Sequence, residues 1–161
     1  MRSPCLLPIA ALAGLLLLPS APVSAQDFSV IVHRSNPVTS LTLSNLRDIL
    51  FGNVTHWPNQ SRIVLAERGS GSPVNRFLMG RILKTSWIDY KRSLEAIEFS
   101  GQDPVIVRVL NSDPAACKFV FNVPSALAVV ETSSTAAAEC RDLRVLKIDG
   151  LLPGQEGYHL K

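Results

Sequence analysis

Short apolar runs alternate with amphipathic segments along most of the chain. The apolar runs have the length and composition of buried strands, and the segments between them place apolar residues at helical spacing. The predicted strands are 27–33, 62–67, 104–110, 126–131 and 143–149, and the predicted helices are 41–52, 72–83, 86–99 and 112–121. Strands that are apolar throughout and separated by helices predict an α/β fold whose sheet is covered on both faces.

Capping residues mark the ends of three of these helices. Gly52 follows the first helix as a C-terminal cap. Ser72 stands at the N-cap position of the second helix, with Pro73 at its first helical position. Asp113 is the predicted N-cap of the last helix, ahead of Pro114.

The stretch ERGSGSP leads from a predicted strand into a predicted helix through a glycine turn. The glycines let the backbone turn sharply and leave its amides uncovered. Free amides and the positive end of a helix can bind an anion. Serine hydroxyls and the planar guanidinium group of an arginine would add further donors to such a site. The alternative is a capped helix after a glycine turn, with the arginine solvated. The candidate binding residues are Arg68, Ser70, Gly71 and Ser72.

Three further residues are candidates for the same site. Ser35 and Asn36 follow the first predicted strand, and ligands of α/β sheets bind beyond the carboxyl ends of strands. They either line the cleft of Ser70 or simply form a turn. Glu67, beside the glycine turn, either accepts the proton of a protonated oxyanion or is a strand-end glutamate that faces water.

The N-terminal segment 1–25 has the pattern of a cleaved signal peptide. Arg2 is followed by an apolar stretch and by a small-x-small sequence that ends at Ala25. A short membrane anchor is the alternative. Cleavage would leave residues 26–161 as one exported domain and would lower the formal net charge from +3 to +2. This weak charge and the absence of a Lys/Arg run argue against nucleic-acid binding.

The cysteines and histidines limit the kinds of disulfide, metal and catalytic site that the sequence can form. Cys117 and Cys140 remain after cleavage, and they form either a disulfide, as in an oxidising compartment, or buried thiols. The three histidines lack metal-ligand spacing, so no metal or other cofactor is expected. Ser70 has no histidine or other base near it in the sequence, so we do not expect an enzyme.

Three segments together resemble a known family. The first is LTLSNLRDILFGNVTHWPN, in which Leu46, Ile49, Phe51, Gly52, Val54 and Trp57 match a family pattern. The second is the Ser70-Gly71-Ser72 turn, and the third is the closing stretch 145–160. These features resemble the periplasmic phosphate-binding proteins of ABC uptake, which have the type 2 periplasmic binding-protein fold.

The resemblance implies a periplasmic protein that binds phosphate or a related oxyanion, without catalysis, through Ser70, Gly71 and Ser72. This sequence differs from the family pattern in the position of the arginine and in length. The family arginine corresponds to Ala66, and Arg68 stands where the family has an acidic residue. Family members are also about twice as long and have two lobes. A single lobe implies either a homodimer that completes the site or a ligand-free interaction or sensory module. Uptake would also require a membrane permease.

Overall fold

The computed structural model describes residues 26–101 and 103–161, and the predicted signal peptide lies outside them. The strands are β1 Phe28–His33, β2 Ser40–Leu41, β3 Val64–Arg68, β4 Ile106–Leu110, β5 Ala126–Glu131, β6 Leu143–Val145 and β7 Lys147–Ile148. The α-helices are α1 Leu43–Leu50, α2 Pro73–Phe77, α3 Trp87–Phe99 and α4 Asp113–Asn122. A π-helical segment, Leu78–Leu83, continues α2, and two short 3₁₀ helices, Thr132–Ala136 and Ala138–Cys140, follow β5.

A five-stranded mixed sheet forms the centre of the fold. Its strand order is β4-β3-β5-β1-β6, with β3 parallel to both β4 and β5 and with β1 antiparallel to both β5 and β6. Strands β2 and β7 form a separate parallel pair. The mixed α/β fold predicted from the alternating pattern is therefore confirmed.

Both faces of the sheet are covered by buried side chains. Val30 and Val32 of β1 face the core beneath α1, α2 and α3, whereas Ile31 faces the core beneath α4. Strand β5 alternates in the same way, with Leu127 on the first face and Ala128 on the second. This alternation confirms the prediction of a sheet that is covered on two sides.

Two predicted strands differ from the structure. Strand β4 is not a buried strand, because it lies at the edge of the sheet and Val109 is 51% exposed. The run 143–149 forms two strands in different sheets. Between them, the amide of Leu146 donates to the carbonyl of Val30, and the next amide, that of Lys147, donates to Thr39.

The segment that carries the family pattern builds the core. Leu46 and Ile49 are buried in α1, and Trp57 is 3% exposed with its Nε1 donating to the carbonyl of Ser125 (2.8 Å). Gly52 follows the end of α1 with φ +75°, as its predicted capping role requires. Most of this pattern is therefore structural, and it holds α1 against the sheet.

Gly52→Ala should destabilise the domain by about 1–2 kcal/mol, because a non-glycine residue there needs a left-handed backbone. Its Cβ would also lie 3.3 Å from side-chain atoms of Ile97 and Val105. Gly80→Ala is the matched control, since a Cβ at Gly80 meets nothing within 4 Å. Urea unfolding of both variants checks this, and equal stabilities would contradict it.

Candidate functional site

The carboxyl ends of three parallel strands meet at one edge of the sheet. Because β4, β3 and β5 are parallel, the segments that follow them lie side by side. These segments are the turn Gly69–Ser72, the residues Asn111–Ser112 before α4, and the 3₁₀ helix Thr132–Ala136. We refer to this edge as the carboxyl edge, and it contains the candidate site.

Ser72 caps α2, as the sequence predicts. Its side-chain oxygen accepts a hydrogen bond from the amide of Asn75 (3.0 Å), and its own amide donates to the carbonyl of Gly69 (2.9 Å). The side-chain amide of Asn75 donates to the carbonyl of Arg68 (3.3 Å) and ties the helix to the end of β3. The hydroxyl hydrogen of Ser72 remains able to donate to a ligand.

The turn itself exposes hydrogen-bond donors. Ser70 and Gly71 are exposed, and their amides have no acceptor within the described part of the chain. Neither Gly69 nor Gly71 has a positive φ, so the sharp turn does not use the left-handed backbone that glycine allows. A Cβ at either glycine would meet nothing within 4 Å, which leaves this side of the turn open.

Arg68 does not extend from the turn as a free cation. Its side chain is 12% exposed and forms an ion pair with the carboxylate of Asp113, and its Nη2 donates to the carbonyl of Asn111 (3.0 Å). The Nε of Arg68 is buried without a hydrogen-bond partner among the described residues. The guanidinium therefore lies under the carboxyl edge, and the charge of Asp113 neutralises it.

Asp113 connects three strand ends and is not the N-cap that the sequence predicts. Ser112 caps α4 instead, because its side-chain oxygen accepts from the amide of Ala115 (3.2 Å). The second carboxylate oxygen of Asp113 accepts from the amide of Glu131 and from the hydroxyl of Ser134, both at 2.9 Å. The predicted cap is thus a buried link between the ends of β3 and β5.

Arg76 is a charge beside the turn that is not among the site residues predicted from the sequence. It lies in the first turns of α2, is exposed, and its Nη1 donates to the carbonyl of Gly71 (2.6 Å). Its position four residues after the Ser72 cap was the available signal, since such residues lie on the same side of a helix. Arg76 thus supplies the positive charge at the turn that Arg68 does not.

Ser35 and Asn36 lie at the opposite edge of the sheet. Strand β1 is antiparallel to β5, so its carboxyl end points away from the carboxyl edge. The hydroxyl of Ser35 bonds Nδ1 of His33 (2.7 Å), and the side-chain oxygen of Asn36 accepts from the amide of Val38 (2.9 Å). The structure therefore does not bring these residues to Ser70, and the turn was the correct alternative.

Glu67 does not face water. It is 9% exposed, and its carboxyl group contacts the hydroxyl of Tyr90 in α3. Burial raises the pKa of Glu67 above its ordinary value, while the hydrogen bond with Tyr90 and the charge of Lys91 oppose this shift. The interpretation of Glu67 as a strand-end glutamate that faces water is therefore wrong.

Two further observations concern metals and membranes. Among residues 26–101 and 103–161, no cluster of three or more His, Cys, Asp or Glu side chains is arranged to hold a metal ion. None of the helices in these ranges has the length and apolar character needed to cross a bilayer.

A family model described as a PBP superfamily domain matches residues 20–152, so the chain belongs to that family. The resemblance to periplasmic binding proteins is thereby confirmed. A search of curated proteins finds no match.

Solved structures of phosphate-binding proteins share the fold. One is PstS from Borrelia burgdorferi, with a TM-score of 0.68, 15% identity, and coverage of 84% of this chain and 54% of that chain. Another is an ABC-type phosphate transport receptor from Vibrio cholerae, with a TM-score of 0.65, 17% identity, and coverage of 84% and 53%. A putative phosphate ABC transporter substrate-binding protein with bound phosphate from Clostridium perfringens has a TM-score of 0.59, 19% identity, and coverage of 78% and 46%. The chain thus spans about half the length of these proteins.

Proposed function

We propose that this protein is an exported binding protein that holds a small oxyanion, phosphate above all, at the turn Ser70–Ser72. The observation that carries the proposal is the set of donors at this turn: two amides without acceptors among the described residues, the hydroxyls of Ser70 and Ser72, and the guanidinium of Arg76. Such donors match an anion that accepts several hydrogen bonds at once. The fold of the solved phosphate-binding proteins supports the same ligand class.

Export to the periplasm and a role in ABC-type uptake belong to the same proposal. The predicted signal peptide supports export, and a disulfide between Cys117 and Cys140 suits an oxidising compartment. Uptake would require a membrane permease as partner. The protein would bind its ligand without catalysing a reaction, as a substrate-binding protein does.

Affinity at a single lobe should be weak. Three charge-assisted hydrogen bonds would contribute roughly 5–9 kcal/mol in total, and association costs at least about 4 kcal/mol in lost freedom. The remaining free energy, at most about 5 kcal/mol, corresponds to a dissociation constant of roughly a few tenths of a millimolar or weaker. A homodimer that supplies donors from a second copy would bind more tightly.

Ser70→Ala should weaken phosphate binding by about 10- to 100-fold, since it removes one charge-assisted hydrogen bond. Arg76→Gln should weaken it as well, and it should reduce the dependence of affinity on salt. The measurement is an NMR titration of the Ser70 and Gly71 amides with inorganic phosphate, in phosphate-free buffer at several salt concentrations.

Ser35→Ala is the matched control, because Ser35 is an exposed serine at the opposite edge of the sheet. It should leave the titration unchanged. Equal losses in Ser70→Ala and Ser35→Ala would show that the turn is not the binding site.

A ligand-free interaction or sensory module is the second candidate. The pairing of Arg68 with Asp113 favours it, because this ion pair removes one cation from the site. The absence of any phosphate-dependent shift in the wild-type protein, together with a stable oligomer, would support this candidate over the first.

A further inference from the structure

The carboxyl group of Glu67 is buried where β3 meets α3. It lies on the opposite face of β3 from Arg68, where Tyr90 and Lys91 of α3 are its polar neighbours. A small cavity beside it is lined by apolar side chains from α1, α2, the π-helical segment and β5, which are Leu50, Val74, Leu78, Leu127 and Val129. None of these five can carry a charge or donate a hydrogen bond to the carboxyl group from its side chain.

The hydrogen bonds around Glu67 require an additional proton. The hydroxyl of Tyr90 has one hydrogen but lies within bonding distance of two acceptors, the carbonyl of Leu50 (3.0 Å) and Oε1 of Glu67. With an ionised Glu67, one of these two oxygens would have no donor. Oε2 of Glu67 is also buried without a partner among the described residues, which is costly for a carboxylate.

A proton on Glu67 resolves this conflict. The carboxylic acid then donates from Oε1 to the hydroxyl oxygen of Tyr90, and the hydroxyl donates to the carbonyl of Leu50. Leu50 is the last residue of α1, where carbonyls lack partners within the helix. The chain of hydrogen bonds thus connects the end of β3 with α3 and with the end of α1.

Helix α3 is held to the core by Tyr90, together with the partly buried Trp87 and Leu94. Tyr90 is its one buried residue, while Ile88 and Phe99 are exposed by 68% and 88%. Glu67 also lies two residues before Gly69, where the candidate binding turn begins. A change at Glu67 therefore reaches both the helix and the turn.

We propose that Glu67 carries a proton in the native protein and acts as a positioning residue that fastens α3 to the sheet. Loss of this proton releases the helix and loosens the turn that follows β3. The arrangement makes the domain sensitive to pH. This inference goes beyond the proposed function, and it holds whether or not phosphate binds at the turn.

Burial sets the direction of the pH effect at Glu67, and the charge of Lys91 opposes it. Lys91 of α3 attracts the ionised form, whereas burial among apolar side chains disfavours it and is the larger influence, so the pKa of Glu67 is raised above 4.5. The folded protein therefore binds more protons than the unfolded chain above pH 4.5. The stabilising effect of Glu67 is complete below its unfolded pKa, and it is lost as pH rises through the folded pKa.

The wild-type melting temperature should therefore fall between pH 5 and pH 8, and Glu67→Gln should abolish most of that fall. Glutamine retains the shape of the protonated acid and its ability to donate to Tyr90. Glu98→Gln, at an exposed position of the same helix, is the matched control and should retain the wild-type dependence. The measurement is thermal unfolding in phosphate-free buffers from pH 5 to pH 8.

Two further measurements separate a positioning role from a merely structural one. A carbon-13 NMR titration of the wild-type carboxyl groups should find that Glu67 keeps its proton above pH 4.5, the ordinary pKa of a glutamate. Hydrogen exchange of the α3 amides and of the Ser72 amide, which donates to Gly69, should accelerate with pH beyond its intrinsic dependence in the wild type but not in Glu67→Gln. A Glu67 that titrates near 4.5, or a Glu67→Gln variant with the wild-type pH dependence, would overturn the proposal.

Discussion

Asp113→Ala is expected to lower the free energy of unfolding by about 3–5 kcal/mol, which is the usual effect of removing one partner from a buried ion pair. The substitution leaves the guanidinium of Arg68 buried with the carbonyl of Asn111 as its remaining hydrogen-bond acceptor. It also deprives the amide of Glu131 and the hydroxyl of Ser134 of their acceptor. The measurement is urea unfolding followed by circular dichroism.

A second ion pair provides the control for Asp113. Asp142 pairs with Arg34 at 2.7 Å, but both side chains are more than half exposed, at 58% and 66%. Such pairs contribute little, so Asp142→Ala should cost less than about 1 kcal/mol. If Asp113→Ala cost no more than Asp142→Ala, then the link between the strand ends would not stabilise the fold.

Removal of the disulfide should have the next largest effect. The structure joins Cys117 of α4 to Cys140 of the second 3₁₀ helix, and both residues are buried. The bond closes a loop with a sequence separation of 23 residues, and a loop of this size contributes about 3 kcal/mol by restricting the unfolded chain. The double variant Cys117→Ala/Cys140→Ala should lose about this much free energy of unfolding.

Reductant provides the control for the disulfide. Urea unfolding in the presence of dithiothreitol should reduce the stability of the wild type toward that of the double variant, whereas the double variant should not respond. A wild type with the same stability with and without reductant would instead indicate two buried thiols, the alternative that the sequence leaves open.

Hydrophobic periodicity predicted the elements of this fold but not their directions. The apolar pattern of β1 shows that it is a buried strand. The same pattern is compatible with parallel and with antiparallel pairing. The placement of Ser35 beside Ser70 assumed a parallel β1, and the antiparallel pairing with β5 moved Ser35 to the opposite edge. Strand direction follows from long-range pairing, which local spacing does not record.

The candidate site was predictable in its backbone but not in its charges. Ser72 and Pro73 predicted the N-terminal cap of α2, because capping depends on neighbouring residues alone. The pairing of Arg68 with Asp113 depends instead on the adjacency of β3 and β4, which are far apart in sequence. Which arginine remains free is therefore decided by tertiary structure.

The burial of Glu67 could have been predicted from the sequence. Ile63 just before β3, and Leu65 and Glu67 within it, occupy alternate positions, and all three face the same core. Strand alternation alone places position 67 inward, as it does position 65. The charge of glutamate favoured a solvent-facing position for Glu67 at the end of β3, whereas the alternation indicated a buried carboxyl group.

The position of β1 has a consequence for how the chain folds. β1 comes first among the described strands but lies between β5 and β6, and Phe28 pairs with Glu131. The amide of Phe28 also donates to the carbonyl of Leu160 (2.8 Å). Pairings between residues so far apart in sequence make folding slow, because long loops must close before the contacts form. During synthesis β1 therefore cannot pair until β5 and β6 have left the ribosome, and the sheet closes only after that point.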